Sequence, residues 1–250
     1  MDLSFLCFAT GAIFWQDEIR EEGMQMEKTK RRLEEIADEK YATFMRKLVP
    51  IIDPHRVVGV RKPDWVRIWK DLNHQEREVF LHERHHAFLE EDLMHVYALN
   101  AMTQEEKAKE ALNQFEDRIN CWALTDGLTF PHLSDEVLLS MARERFDDSR
   151  SGSRRLAILW IMKRALKRED AARWIEDALS VAGEEKEIID ARGWMLCEAL
   201  IVNEKAALPF YKADRAEKQV LLRAISKCID SRRISPERKN ALRELRKELK

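Results

Sequence analysis

Apolar residues recur every three or four positions along almost the whole chain, a period that an α-helix satisfies and a strand does not. The punctuation is correspondingly sparse. Seven Gly and six Pro among 250 residues are too few for a turn-rich β fold, and a charged fraction of 36% suits long solvated helix faces. The pattern predicts helices over 24–49, 63–72, 75–99 (as one or two), 103–117, 119–128, 134–145, 154–167, 169–181, 184–202, 215–231 and 236–249, with a polar loop at 149–153. Pro50 and Asp53-Pro54 end the first, Pro63 opens the second, and Thr103 with Glu106 forms a capping box for 103–117. Ser235 followed by Pro236 reads as an N-cap with proline at the first helical position. No strand candidate survives.

Helices of about 12–18 residues joined by short loops stack most naturally as antiparallel pairs. The expected fold is therefore all-α, a HEAT-like helical repeat solenoid (an α-α superhelix). No fixed period is evident in the sequence, so its repeats must be degenerate. A chain of 250 residues is long enough to bury a substantial core. The expected organisation is an N-terminal helical extension over 1–54 and one continuous solenoid over 55–250.

Four cysteines (Cys7, Cys121, Cys197, Cys228) contain no CxxC pair and read as reduced thiols of a cytoplasmic protein. The apolar run 3–15 lacks a basic leader and a small-residue cleavage site and is too short to span a bilayer. It reads as a packing segment or a start codon placed too early, and no membrane association is expected. Net charge is −2, which alone argues against a polyanionic partner, but the distribution is uneven. Residues 143–173 hold ten Arg/Lys against five Asp/Glu, and residues 215–250 hold twelve against five. Such segments can grip phosphates if they fold onto one surface, although basic helix faces are commonly just solvated.

Chemistry concentrates in residues 119–126, where Trp122 and Asp126 stand four apart and share a helix face. An indole face attracts a cation and a carboxylate stabilises one at short range, so the pair suits a place where positive charge sits or develops. The plain alternative is a core aromatic beside a surface charge.

Several segments resemble one family in the right order. Gly59-Val60-Arg61-Lys62-Pro63, His86-Ala87-Phe88-Leu89, Asn120-Cys121-Trp122-Ala123-Leu124-Thr125-Asp126, Arg155-Leu156-Ala157-Ile158, Gly193-Trp194, Ile225-Ser226-Lys227 and Asp230-Ser231-Arg232-Arg233-Ile234-Ser235 are similar to motifs of the DNA alkylation repair family (AlkD-like), DNA glycosylases built of HEAT-like repeats. Cys121 separates Asn120 from Trp122 where the family has the two adjacent, and Asp230 stands in place of a Glu. The resemblance covers roughly 55–247.

What it implies is removal of cationic N-alkylated purines (3-methyladenine and 7-methylguanine type) from duplex DNA held on a concave face. Asp126 would stabilise the oxocarbenium-like sugar and position water. Trp122 and Trp194 would flank the lesion nucleotide, and Arg155, with Arg154 as fallback, would hold a phosphate. Lys163, Arg164, Lys167, Arg223, Lys227, Arg232 and Arg233 are further candidates for phosphate contact. The implied protein is a monomer with no cofactor and no metal. Trp65, Trp69, Trp160 and Trp174 are read as core.

Two other readings compete. His82-Glu83-Arg84-His85-His86 fits the zinc-hydrolase pattern His-Glu-x-x-His, which on a helix would let His82 and His86 share a metal, with Asp92 or His95 as a third ligand. The second keeps the fold and drops the enzyme, leaving a HEAT-like scaffold that binds DNA structure without catalysis.

Overall fold

The computed structural model describes residues 28–249 except 84 and 213; the apolar run 3–15, Cys7 and the expected helix start at 24 lie outside the described residues. The fold is all-α, and no strand occurs among the described residues. The chain divides into two compact units, one reaching to Ala98 and one from Leu99 to Lys250.

In the first unit residues 28–35 are helical and the chain then breaks before α1 (Glu39–Leu48). The single helix expected over 24–49 is split because Asp38 takes an extended conformation and its carboxylate accepts from Tyr41 N at 3.0 Å, a stronger local bond than helix continuation offers. α2 (Lys62–Asp71) follows with proline in its first turn, and α3 (His74–His82) opens on a complete capping box between Asn73 and Glu76. α4 is Leu89–Leu99. Trp65, Ile68, Trp69, Phe80, Phe88 and Met94 form the core. Gly59 has φ +84, and a Cβ there would come within 2.3 Å of Asp38 O. This close approach lets the buried Glu90 carboxylate accept from Gly59 N at 2.7 Å and Val60 N at 3.2 Å. Burial holds the Glu90 pKa above the usual carboxylate range despite those bonds.

The helix on which the zinc reading depends is absent. α3 ends at His82, Glu83 is already extended, and the His82 side chain is exposed. His86 is buried, stacked on Phe80 at 4.3 Å and sharing a 3.1 Å hydrogen bond between its Nε2 and His95 Nδ1. Asp92, offered as a third ligand, is paired with Arg56 at 2.6 Å. Among the described residues no group of three or more His, Cys, Asp or Glu lies close enough to hold a metal.

The second unit contains α5 (Glu105–Phe115), α6 (Trp122–Gly127), α7 (Asp135–Arg143), α8 (Ser151–Arg164), α9 (Ala171–Ser180), α10 (Lys186–Val202), α11 (Glu204–Ala207), α12 (Lys218–Asp230) and α13 (Pro236–Glu248). The capping box expected at Thr103 and Glu106 does not form. Ala108 N–H donates to Gln104 O at 3.0 Å, which moves the cap one residue on, and Gln104 makes no side-chain cap bond. Ser134 and Ser235 do cap α7 and α13, accepting from Val137 N and Arg238 N. α8 begins three residues earlier than expected because Gly152 and Ser153 are buried; a Cβ on Gly152 would sit 1.7 Å from Ile119 O.

Helices in this unit pack as α7 on α8, α9 on α10 and α12 on α13, while α6, α8, α10 and α12 lie side by side in that order. Paired helices with one member of each pair in a continuous row are consistent with a helical repeat solenoid. α8 and α10 are buried along most of their length, as helices covered on several sides must be. Trp160 and Trp174 are core here, as Trp65 and Trp69 are in the first unit. Gly193 allows the close contact of α10 with α12, since a Cβ would meet Arg223 Cγ at 2.7 Å.

One buried ion pair fixes the approach to α6. Arg145 Nε donates to Glu116 Oε1 at 2.7 Å, its Nη2 to Oε2 at 3.2 Å and its Nη1 to Met141 O at 2.8 Å. Both side chains are buried, so removing Glu116 leaves the Arg145 guanidinium only Met141 O and the more distant Glu144 carboxylate, at 3.8 Å. Glu116→Gln is expected to lower stability by about 3 kcal/mol, read as a fall in the urea midpoint at unchanged m-value.

Candidate functional site

α6 is short because it is framed by loop rather than continued helix. Of the helix expected over 119–128, the six residues Trp122–Gly127 are helical with an extended Cys121 as N-cap, and a 3-10 turn (Glu116–Arg118) precedes them. Asn100 fixes the other end. Its Nδ2 donates to Gly127 O at 2.8 Å, and its Oδ1 accepts from Thr129 N at 2.7 Å and Phe130 N at 2.9 Å. One amide thus braces Gly127, Thr129 and Phe130 in the segment after Asp126, with Phe130 at φ 40, a left-handed conformation.

Trp122 and Asp126 therefore share a face of a braced helix. Trp122 is 40% exposed, unusual for an indole, and Asp126 is half-buried. Arg155 reaches Asp126 from α8. Its Nη2 donates to Asp126 Oδ1 at 2.8 Å, its Nε to Thr125 Oγ1 at 2.9 Å, and its Nη1 to Glu187 O on α10 at 2.7 Å. Arg155 is only 6% exposed, so the guanidinium expected to hold a phosphate is turned instead toward protein and anchors the carboxylate. Lys163, two turns along α8, donates from Nζ to Asp126 O at 3.0 Å. Desolvation pulls the Lys163 pKa down, with Arg164 and Arg155 adding to the effect and the Asp126 carboxylate opposing it.

Farther along the row, Trp194 on α10 is half-buried; its Nε1 donates to Glu198 Oε1 at 3.3 Å, and Lys227 Nζ stands 5.3 Å from its ring centroid. Lys227 also has its pKa lowered, first by desolvation and then by Arg223. The row thus carries Trp122 and Asp126 on α6, Arg155 on α8, Trp194 on α10 and Lys227 on α12.

The remaining candidates divide. Arg154 pairs with Glu185. Arg164 donates to Asp135 Oδ1 at 3.1 Å and to Phe130 O at 3.0 Å, which ties it to the loop after α6. Arg223 pairs with Asp190 at 2.7 Å and Arg233 with Glu198. Lys167 and Arg232 are exposed. Thr125, Asn100, Glu187, Asp190 and Glu198 were not singled out from sequence. The i, i+4, i+8 spacing of Asp190, Trp194 and Glu198 was the available signal.

Fold and side chains together define a class: an all-α repeat protein that displays a carboxylate and two indoles on helices of one stacked row. The family model described as DNA alkylation repair enzyme matches residues 29–227, and the chain belongs to that family, whose role is DNA repair. The match takes in residues 29–54 and the motifs from Gly59 to Lys227, while Asp230–Ser235 lie beyond it. No curated protein matches the chain. No helix among the described residues is long and apolar enough to cross a membrane.

Arg155→Met would remove the guanidinium from the Asp126 carboxylate and the Glu187 carbonyl, while the Thr125 hydroxyl keeps its bond to Trp122 O at 3.1 Å. A loss of about 2–3 kcal/mol in unfolding free energy is expected, whereas Arg155→Lys, which can restore one bond, should lose less.

Proposed function

We propose that this protein is a DNA glycosylase that hydrolyses the N-glycosidic bond of cationic alkylated purines in duplex DNA, acting as a cytoplasmic monomer. The observation that carries the reading is the Asp126 carboxylate, held by Arg155 at 2.8 Å on the same short helix as a partly exposed indole.

The chemistry needs little else. Alkylation at N3 or N7 gives the purine a formal positive charge, so the glycosidic electron pair leaves with the base and the base departs neutral, without a general acid. Positive charge develops on C1′ and O4′ of the sugar as that bond stretches. A fixed carboxylate close to this centre lowers the barrier because its field is already oriented when the charge appears. Water then adds to C1′ and gives its proton to Asp126, leaving an abasic site.

Trp122 would lie against the charged nucleotide and Trp194 against its neighbour, each offering a π face to a cation or to the sugar C–H surface. Arg155 and Thr125 restrict the carboxylate to one rotamer, so Asp126 would not reorganise during the reaction. Lys163, Lys227, Arg232 and Arg233 would meet phosphates and Arg154 and Arg164 would hold the loops around them, making the α6–α8–α10–α12 row the DNA-facing, concave side.

The scaffold reading keeps one supporting observation, the ion pairs that occupy Arg223 and Arg233. Release of 7-methylguanine from methylated duplex DNA separates the two. Wild-type protein should release the base, and Asp126→Asn should slow single-turnover release by about 10²–10³ while binding the same DNA. Binding without release by the wild type would establish a scaffold.

A further inference from the structure

The α10–α12 contact is laddered. Asp190, Trp194 and Glu198 stand four residues apart on one face of α10, opposite Arg223 and Lys227 of α12 and Arg233 of the following turn. Three rungs result. Arg223 pairs with Asp190 at 2.7 Å, Lys227 lies over the Trp194 ring at 5.3 Å, and Arg233 pairs with Glu198. Glu198 Oε1 also accepts from Trp194 Nε1 at 3.3 Å, so one carboxylate holds an indole and a guanidinium together.

The ladder is asymmetric in depth. The Arg223 and Arg233 side chains are 41% and 56% exposed, while Asp190 and Glu198 beneath them are 23% and 20% exposed. The Arg233 cation and the outer part of the Arg223 guanidinium can therefore be approached from solvent, while the Arg223 Nε that meets Asp190 is buried. We propose that Asp190 and Glu198 are phosphate surrogates: they occupy the cations of the α12 edge until a duplex backbone displaces them, and so set how readily the protein grips DNA that carries no lesion. The inference rests on the DNA-facing reading of this row.

Magnitudes favour such an exchange. A partly exposed ion pair contributes about 0.2–1 kcal/mol, little enough to be surrendered. A phosphate of duplex DNA gives its cation a comparable contact and in addition releases condensed counterions, a gain that an isolated anion cannot supply. The ladder would therefore yield to a polyanion laid along it and remain closed to single phosphates. Glu198 has a second task as a positioning residue for Trp194, which a glutamine in its place would keep through its amide oxygen.

The test is binding of the full chain to a short unmodified duplex across a salt series. Asp190→Asn and Glu198→Gln should each tighten binding at least about threefold, because the ion pair no longer has to be broken. Arg233→Gln should weaken binding, and Glu198→Gln should no longer tighten it once Arg233→Gln is present. Unchanged or weaker binding in both carboxylate variants would overturn the proposal; so would failure of wild type and variants alike to bind. If Glu198→Gln fails to fold by urea titration, Asp190→Asn with Arg223→Gln gives the same cycle. The duplex carries no alkylated base, so the result is independent of whether the protein releases one.

Discussion

The bonds of one guanidinium join three neighbouring helices of this protein. Arg155 bonds the Asp126 carboxylate, the Thr125 hydroxyl beside it and the Glu187 carbonyl at the start of α10, so one side chain ties α6, α8 and α10 together. Removal of either charge alone costs more than the pair contributes, because the survivor stays partly desolvated. The orientation of the carboxylate is thereby linked to the stacking of the helices. The fold cannot loosen here without moving the group on which the proposed chemistry depends.

The surrounding sequence serves that geometry. A six-residue helix has little stability of its own. α6 persists because Asn100 braces the chain after it and because the Glu116–Arg145 pair fixes the turn before it. Gly152 and Gly193 perform parallel tasks, letting α8 approach Ile119 and α10 approach α12 where a Cβ would collide. The cations outside this centre are handled differently. Arg154, Arg223 and Arg233 are matched with carboxylates on neighbouring elements.

Much of the fold was legible in the sequence, since the apolar period is local and repeats along every helix. Ser134 and Ser235 mark helix starts for a reason confined to three residues, and the core tryptophans follow from spacing and bulk. Trp122 and Asp126 could be placed on one face because a helix has a known pitch. Long-range partners could not be read in this way. Nothing near Arg155 in the sequence says that its guanidinium folds back onto Asp126 instead of reaching outward, since that bond joins positions 29 apart. The His-Glu-x-x-His pattern misled for the converse reason. Its meaning depends on an unbroken helix, and the extended backbone at Glu83 buries His86 in an aromatic stack while leaving His82 in solvent.

The central claim is that Arg155 acts on the reaction through Asp126, not separately from it. A double-mutant cycle in single-turnover release of 7-methylguanine tests this most directly, using Asp126→Asn, Arg155→Met and the two combined. If the carboxylate and its guanidinium work as one unit, the double variant will be no slower than the slower single variant. Rate losses that multiply would show two independent contributions and contradict the account.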